Sequence, residues 1–372
     1  MKVAAAVAKT YDYIEVEAGV QEVLNQFGGM ETLIKPEERV LIKPNMLEGL
    51  PPERAVTTHP EVVRAVIRQV KRAGGIPLVG DSPGIGSGMK AAEKNGIAGV
   101  CREEGAELLA FAESAEYSFP EGKVIRKFHL TGELQQVDKV ISLAKMKTHS
   151  FMGITGAVKN LFGCIVGPGK AQFHLRLKRR DDFAAMLVDL ALLVKPVFFL
   201  VDGIVGMEGN GPRNGSPIQA GVILGGTNGF AVDLVMGQMM GFNSEELPVS
   251  RLALARGLVP GLKRIEVVGS GRELRWNFQP PYNLESLDGR VPPFLVRFFQ
   301  NQFTYRPVMN EKCTGCSRCA QHCPPQAIKI ENGKAMVDYE QCIRCYCCQE
   351  LCPFDAVILE QGLLLKLFGR KK

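Results

Sequence analysis

No run of eighteen or more apolar residues occurs in the 372-residue chain, so no membrane-spanning helix is expected. The apolar run within residues 1–9 is too short for a secretory signal and passes straight into polar, domain-like sequence. The net charge of +6 is mild, and the basic cluster inside the body, Lys178-Arg179-Arg180, is followed at once by Asp181-Asp182. That pattern reads as a solvated face, and no nucleic-acid partner is expected. No G-x-G-x-x-G follows the first predicted strand, which excludes a dinucleotide fingerprint. The segment 163–171 only approaches a P-loop: Cys164 stands where a glycine is required, and Ala171 where Ser or Thr would bind magnesium. A Gly-x-Ser-x-Gly elbow is absent as well. Apolar residues make up 46% and charged residues 23%, ordinary values for a globular protein with a real core.

Cysteine is what the chain has in unusual order. Of eleven, eight fall in two C-x2-C-x2-C-x3-C-P runs, Cys313, Cys316, Cys319, Cys323 and Cys342, Cys345, Cys348, Cys352, leaving Cys101, Cys164 and Cys347 over. This is thiolate-ligand usage in a reducing compartment rather than a disulfide framework, and a cytoplasmic location is expected. The pattern is that of a bacterial two-cluster ferredoxin. Three thiolates within seven residues wrap one corner of a cubane, while the fourth, fixed beside a proline, reaches the other cluster. Two [4Fe-4S] clusters are expected: one on Cys313, Cys316, Cys319 and Cys352, the other on Cys342, Cys345, Cys348 and Cys323. Zinc sites pair two cysteines with two more at a distance, and triplets with a trailing Cys-Pro do not fit that. The two runs and their flanks, Ala327-Ile328 and Ala356-Val357, repeat at one constant offset, so the module is a duplicated unit. Cys347 fits neither triplet and reads as a spare thiol; His322 reads as a surface residue.

The remainder alternates short apolar strands with amphipathic helices. Strands are expected at 2–9, 39–42, 77–80, near 107–111, and at 137–143, 197–201 and 222–224. Helices are expected at about 18–27, 61–73, 89–104, 181–195 and 229–240, with a threonine cap ahead of Pro60. This predicts an α/β body with a mostly parallel or mixed sheet and flanking helices, followed by a small α+β two-cluster domain. The body is placed at 1–289, an aromatic and proline-rich joint at 290–307, the ferredoxin-like domain at 308–361 and a basic-apolar tail at 362–372. The phenylalanines of the joint, Phe294, Phe298, Phe299 and Phe303, are read as docking the module on the body.

Four predicted strands end in polar groups: Lys43 and Asn45; Asp81 and Ser82; Lys145, Lys147 and His149; and Asp202. Ligands of open α/β sheets bind at the carboxyl ends of the strands. These groups, with His59 and nearby glycine-rich loops, suit an anionic or carbonyl-bearing ligand and an acid–base lysine or histidine. Lys147, His149 and Lys43 are the catalytic candidates; Asp81, Ser82, Lys159, Asn160 and Asp202 are the candidates for holding an additional ligand or cofactor.

Taken together, Ile42-Lys43-Pro44-Asn45, Thr57-Thr58-His59-Pro60, Gly80-Asp81-Ser82-Pro83, Lys145-Met146-Lys147-Thr148-His149, Thr155-Gly156-Ala157-Val158-Lys159-Asn160 and Val201-Asp202-Gly203 resemble the DUF362 family. The resemblance covers about residues 1–270, with a C-terminal two-cluster ferredoxin domain over about 303–360. It implies an iron–sulfur protein of prokaryotic type and assigns no reaction. The leading expectation is an iron–sulfur oxidoreductase exchanging electrons with a ferredoxin, a flavoprotein or an oxidoreductase subunit and serving a site in the body. Two others stay open: an electron-transfer subunit with no chemistry of its own, and a non-redox enzyme or ligand-binding domain whose clusters are structural or sensing. A pocket joining the strand ends close to the module would favour the first.

Overall fold

A computed structural model describes residues 1–84, 86–167, 169–281 and 305–361. Most of the predicted joint and the whole tail therefore lie outside the described residues.

The body is a nine-stranded mixed sheet. Its strands are β1 (Lys2–Val7), β2 (Arg39–Pro44), β3 (Ile76–Gly80), β4 (Glu107–Leu109), β7 (Lys139–His149), β8 (Gly153–Thr155), β9 (Phe198–Glu208), β10 (Ser216–Gly226) and β11 (Glu266–Val268). A separate hairpin is formed by β5 (Ser114–Ser118) and β6 (Lys127–Thr131). The sheet order is β11-β1-β10-β9-β7-β2-β3-β4, with β8 folded back on β7. From β9 to β4 every neighbour is parallel, whereas β10 runs antiparallel to both β9 and β1.

The helices of the body are α1 (Tyr13–Asn25), α2 (Pro60–Arg72), α3 (Gly88–Lys94), α4 (Ile97–Glu104), α5 (Ala157–Asn160), α6 (Gly169–Arg176), α7 (Arg180–Val194), α8 (Gly229–Met239) and α9 (Pro248–Ala255). Side chains alternate across a strand, so β7 feeds two cores. Ile141 and Leu143 pack with Val16, Val20, Val62 and Val66 of α1 and α2, while Ala144 and Met146 pack with Phe183, Leu187 and Val232 of α7 and α8. Each such valine or leucine contributes about 1.5–3 kcal/mol by burial.

Two local expectations are corrected. Helix α2 is capped by His59, whose Nδ1 accepts from Glu61 N at 3.2 Å, not by a threonine. Thr58 is buried instead between β2 and β7, accepting from Asn45 N and donating to the Leu143 carbonyl, both at 2.9 Å. The single helix expected at 89–104 is two, α3 and α4, because Gly96 at φ 84° breaks the chain between them.

The C-terminal module comprises β12 (Tyr305–Met309), α10 (Arg318–Gln321), β13 (Ile328–Glu331), β14 (Lys334–Val337), α11 (Cys347–Leu351) and β15 (Val357–Gln361). β12 pairs with β15 and β13 with β14, all antiparallel. The duplication is visible in the backbone. Left-handed residues recur at matched positions: Gly315 and Arg344, Ser317 and Tyr346, Gln326 and Asp355.

Candidate functional site

Lys43, the last residue but one of β2, is fully buried and donates to Asp81 Oδ1 at 2.7 Å. Asp81 Oδ2 in turn accepts from Met46 N at 2.6 Å. A Cβ at Gly163 would stand 1.9 Å from Asp81 Oδ1, so only glycine lets that turn lie against the pair. Asn160 donates to the Lys43 carbonyl at 3.0 Å and accepts from Asn45 Nδ2 at 3.2 Å. Three separate segments, 43–46, 81 and 160–163, are thus tied into one polar layer.

Above this layer lies a cavity of about 400 Å³, within the size range of small-molecule sites. Asn45, Asp81, Ser82, Lys147, Lys159 and Asn160 line it from the body, as do Thr155, Lys170 and His174. The module closes it with His322, Cys347, Glu350 and Leu351. Of the residues singled out in the sequence, Lys43 sits behind the wall as the partner of Asp81, and His149 is buried beside it. His149 Nδ1 accepts from the backbone N–H groups of Phe151 and Met152 at 3.0 and 3.3 Å, which leaves the proton of the neutral ring on Nε2. Nε2 faces Glu350 Oε1 at 3.3 Å without hydrogen-bond alignment, and neither atom has another partner among the described residues.

Electrostatics follow from burial. Burial lowers the Lys147 and Lys159 ammonium groups, and Lys159 adds to the effect on Lys147. Lys170 is lowered to about 8, first by burial. His174 is pushed down to about 3 by burial among Phe151, Phe162 and Phe183 and then by the nearby Lys159 charge. His149 is held well below its usual range by burial and then by Lys159 and Lys147, so both imidazoles are neutral.

Lys145 and Asp202 do not join this cavity. They form a closed network in which Lys145 donates to Asp202 Oδ2 at 2.8 Å and to Tyr11 Oη at 2.8 Å. Asp202 also accepts from Tyr11 Oη and His59 N, each at 2.9 Å. The rings of Tyr11 and His59 stack at 3.5 Å, and burial lowers His59 to about 4. With each of its carboxylate oxygens accepting from two groups, Asp202 is a structural hub rather than a cavity group.

Sequence reasoning passed over Lys170, Thr155, His174 and Glu350. Lys170 lies in the near-P-loop segment 163–171, where a lysine after Gly-Pro-Gly is itself a signal of a backbone-held cation. Glu350 carries no signal of its own, since nothing in the chain order shows that α11 packs on the strand ends.

In the module, one cavity is lined by Cys313, Cys316, Cys319 and Cys352, the four thiols the crossed pattern brings together. Burial raises the Cys319 thiol, and Cys352, Cys313 and Cys316 add to it. Burial likewise raises Cys323 to about 11, with Cys345 and Cys342 of the other run close enough to contribute. Cys323 and Cys352 occupy equivalent places: each Sγ accepts a backbone N–H, from Ala327 and Ala356, at 3.3 Å. No three His, Cys, Asp or Glu side chains among the described residues converge on a single-ion point.

The module is fastened beside the cavity. Arg213, almost fully buried, donates to Glu48 at 2.5 Å and to the Cys352 carbonyl at 2.7 Å. Ser150 donates to Gln349 at 2.9 Å, and Asn214 to the Gln349 carbonyl at 3.0 Å. Helix α11 consequently presents Cys348 to the module and Cys347, Glu350 and Leu351 to the cavity.

A family model described as a domain of unknown function (DUF362) matches residues 40–238, and a 4Fe-4S dicluster domain matches residues 312–356. A thylakoid-associated protein of Synechocystis sp. is 35% identical over 297 residues, 79% of this chain and 92% of that protein. Among solved structures, the lactate racemase apoprotein from Thermoanaerobacterium thermosaccharolyticum aligns over 59% of this chain and 53% of its own, at 13% identity and TM-score 0.38. A Thermotoga maritima protein aligns over 52% and 50%, at 12% identity and TM-score 0.33. The chain spans about half the length of those two structures. Among the described residues no helix is long and apolar enough to cross a membrane.

Proposed function

The chain belongs to the DUF362 family and carries a 4Fe-4S dicluster domain, and on that footing we propose that it is an iron–sulfur oxidoreductase. Its substrate site, in this reading, is the cavity where the module meets the strand ends. The observation that carries this is the double use of α11: one short helix holds Cys348 and also supplies Cys347, Glu350 and Leu351 to the cavity wall. A ligand there lies next to the module without leaving the protein interior.

Two clusters are assigned, on Cys313, Cys316, Cys319 and Cys352 and on Cys342, Cys345, Cys348 and Cys323. When bound, they supply one-electron transfer at potentials set by charge, hydrogen bonds to sulfur and exposure. The body's residues do the rest. Lys147 and Lys159 attract a negatively charged ligand, Asn45 and Asn160 hold the layer beneath it, and His149 keeps a proton on Nε2 at the wall. The working units are a body at 1–289 and a module at 308–361. A ferredoxin or flavoprotein in a reducing compartment is the expected electron partner.

Anaerobic reconstitution should yield about eight irons per chain, from two four-iron clusters. Cys352→Ala should abolish the cluster of the first triplet and spare the other; the reverse loss would refute the crossed ligand set. Small anions should then move the clusters' paramagnetic spectra or midpoint potentials. Rapid exchange with a partner ferredoxin, with no response to any anion, would leave an electron-transfer subunit instead.

A further inference from the structure

Whatever enters the cavity meets an excess of positive charge. Lys147, Lys159 and Lys170 line it against the carboxylates of Asp81 and Glu350, and Asp81 is already neutralised by Lys43 at 2.7 Å. By formal charge three lysines face one remaining carboxylate, an excess of two, and burial lowers all three in the absence of an anion. Charge buried in this way is costly until a counter-charge arrives.

Hydrogen bonding distinguishes the three lysines. Lys170 is fully used, donating to Ser82 O, Ser82 Oγ and Pro83 O at 2.8–2.9 Å. Lys147 donates to Asn45 Oδ1 at 2.9 Å and Val56 O at 2.7 Å, which leaves one proton. Lys159 has no hydrogen-bond or ion-pair partner among the described residues; its ammonium lies only over the Phe162 ring, at 5.8 Å. Thr155 Oγ1 and His174 Nδ1 on the same walls are buried without a hydrogen-bond partner among the described residues, and Glu350 Oε1 has only the unaligned His149 Nε2 beside it. Unsatisfied buried polar groups are rare in native proteins, and several at one cavity are what a bound ligand would satisfy. Leu47, Phe162, Pro212 and Leu351 give the wall an apolar part.

We propose that the cavity takes a small organic dianion, an apolar body bearing two carboxylates or one phosphate monoester, with its charge at Lys159 and Lys147 and a hydrogen bond from Thr155. The inference rests on reading this cavity as the substrate site. It deepens that reading by naming the charge and the shape of the ligand.

The test is calorimetric titration of the cluster-loaded full chain with phthalate, phenyl phosphate and benzoate. Either dianion should bind at least about tenfold more tightly than benzoate, the ratio that one added charge contact of ordinary strength gives. The tighter of the two identifies the headgroup. Lys159→Gln should abolish the preference. Thr155→Val should weaken the dianion severalfold while leaving the ligand-free melting temperature unchanged or higher, because the hydroxyl has no partner to lose; it decides the matter if Lys159→Gln fails to hold its clusters. Benzoate binding as tightly as phthalate, no binding of either dianion, or dianion affinity untouched by both substitutions would overturn the proposal. The two readings fail separately. Dianion binding that depends on Lys159 but leaves the cluster spectra unmoved upholds the ligand class and counts against electron transfer. Redox-coupled binding of benzoate alone does the reverse.

Discussion

Lys43 and Lys159 are interior lysines of one polar layer, and their surroundings give them different duties. Lys43 is spent on Asp81, and Asp202 is similarly spent on Lys145, Tyr11 and the His59 backbone. Removing one partner of such a pair leaves a buried charge without compensation. Asp202→Ala should therefore destabilise the fold by about 3–5 kcal/mol, read by denaturant unfolding. The protein that remains folded should bind anions as before, because Asp202 does not line the cavity. A specific loss of anion affinity at full stability would make Asp202 a binding residue after all. Lysines that face the cavity carry a pH signature instead. Lys170 is lowered to about 8, chiefly by burial, and an anion favours its charged form. Below pH 8 the proton is already in place. Above it, binding must take one up, so affinity should fall with rising pH, approaching tenfold per unit for one linked proton. A flat profile from neutral pH to well above 8 would show that no lysine proton is linked to binding.

At the scale of the element, the four-residue turn α5 brings Lys159 and Asn160 to the site, and Asp233 of α8 holds it there. Asp233 accepts from Ala157 N at 2.6 Å and Val158 N at 3.1 Å, against Gly156, where a Cβ would meet the carboxylate at 2.1 Å. Burial raises Asp233 to about 7, outweighing those two backbone bonds. Its ordinary value is near 3.8, so between about 4 and 7 the native protein holds a proton the unfolded chain has lost. The stabilisation is complete below that interval and disappears as pH rises through about 7, with a slope of at most about 1.4 kcal/mol per pH unit. Asp233→Asn should flatten this slope while preserving α5, since an amide oxygen can still accept from the turn. An unchanged slope would place the titration elsewhere.

Elements were legible in the sequence where their pattern was local. Strand β2 with its Lys-Pro ending, α2 behind Pro60 and α7 between Asp181 and Pro196 lie within a residue or two of where periodicity puts them. Strands β7, β9 and β10 run to eleven residues each, well past their apolar cores. Their ends are strand only because a neighbour pairs with them: Met207-Glu208 and Ser216-Pro217 pair across a hairpin, and Lys147 pairs with Met207 far along the chain. The site divides in the same way. Asp81 and Lys147 could be read from strand ends and Lys159 and Asn160 from the short helix and motif that carry them, whereas Glu350 and Cys347 required knowing which face of the module meets the body. The same ignorance placed Asp202 among the cavity groups.

The whole molecule makes the cavity depend on its clusters. The module's own core is small: Ile328, Ala335, Cys348, Cys352, Ala356 and Val357 are its buried members, and two of those are cluster thiols. A unit of this size draws only a few kcal/mol from apolar burial and needs a staple, here the metal clusters. Its grip on the body passes through Arg213 to the Cys352 carbonyl and through Ser150 and Asn214 to Gln349, groups at or beside cluster ligands. Losing the clusters should loosen α11 and remove Cys347, Glu350 and Leu351 from the cavity wall. The body's sheet has two large apolar cores, only one of which also takes in Tyr305, Tyr346 and Leu359 of the module, and it should remain folded. Oxidative bleaching of the clusters should thus abolish anion binding in step with the visible absorbance, while the far-ultraviolet circular dichroism of the body changes little. Arg213→Ala should shift the balance the same way without replacing a ligand, giving weaker anion binding and faster bleaching in air at equal initial iron content. Anion affinity that survives complete bleaching would mean that the body builds the site alone, and that α11 covers it without shaping it.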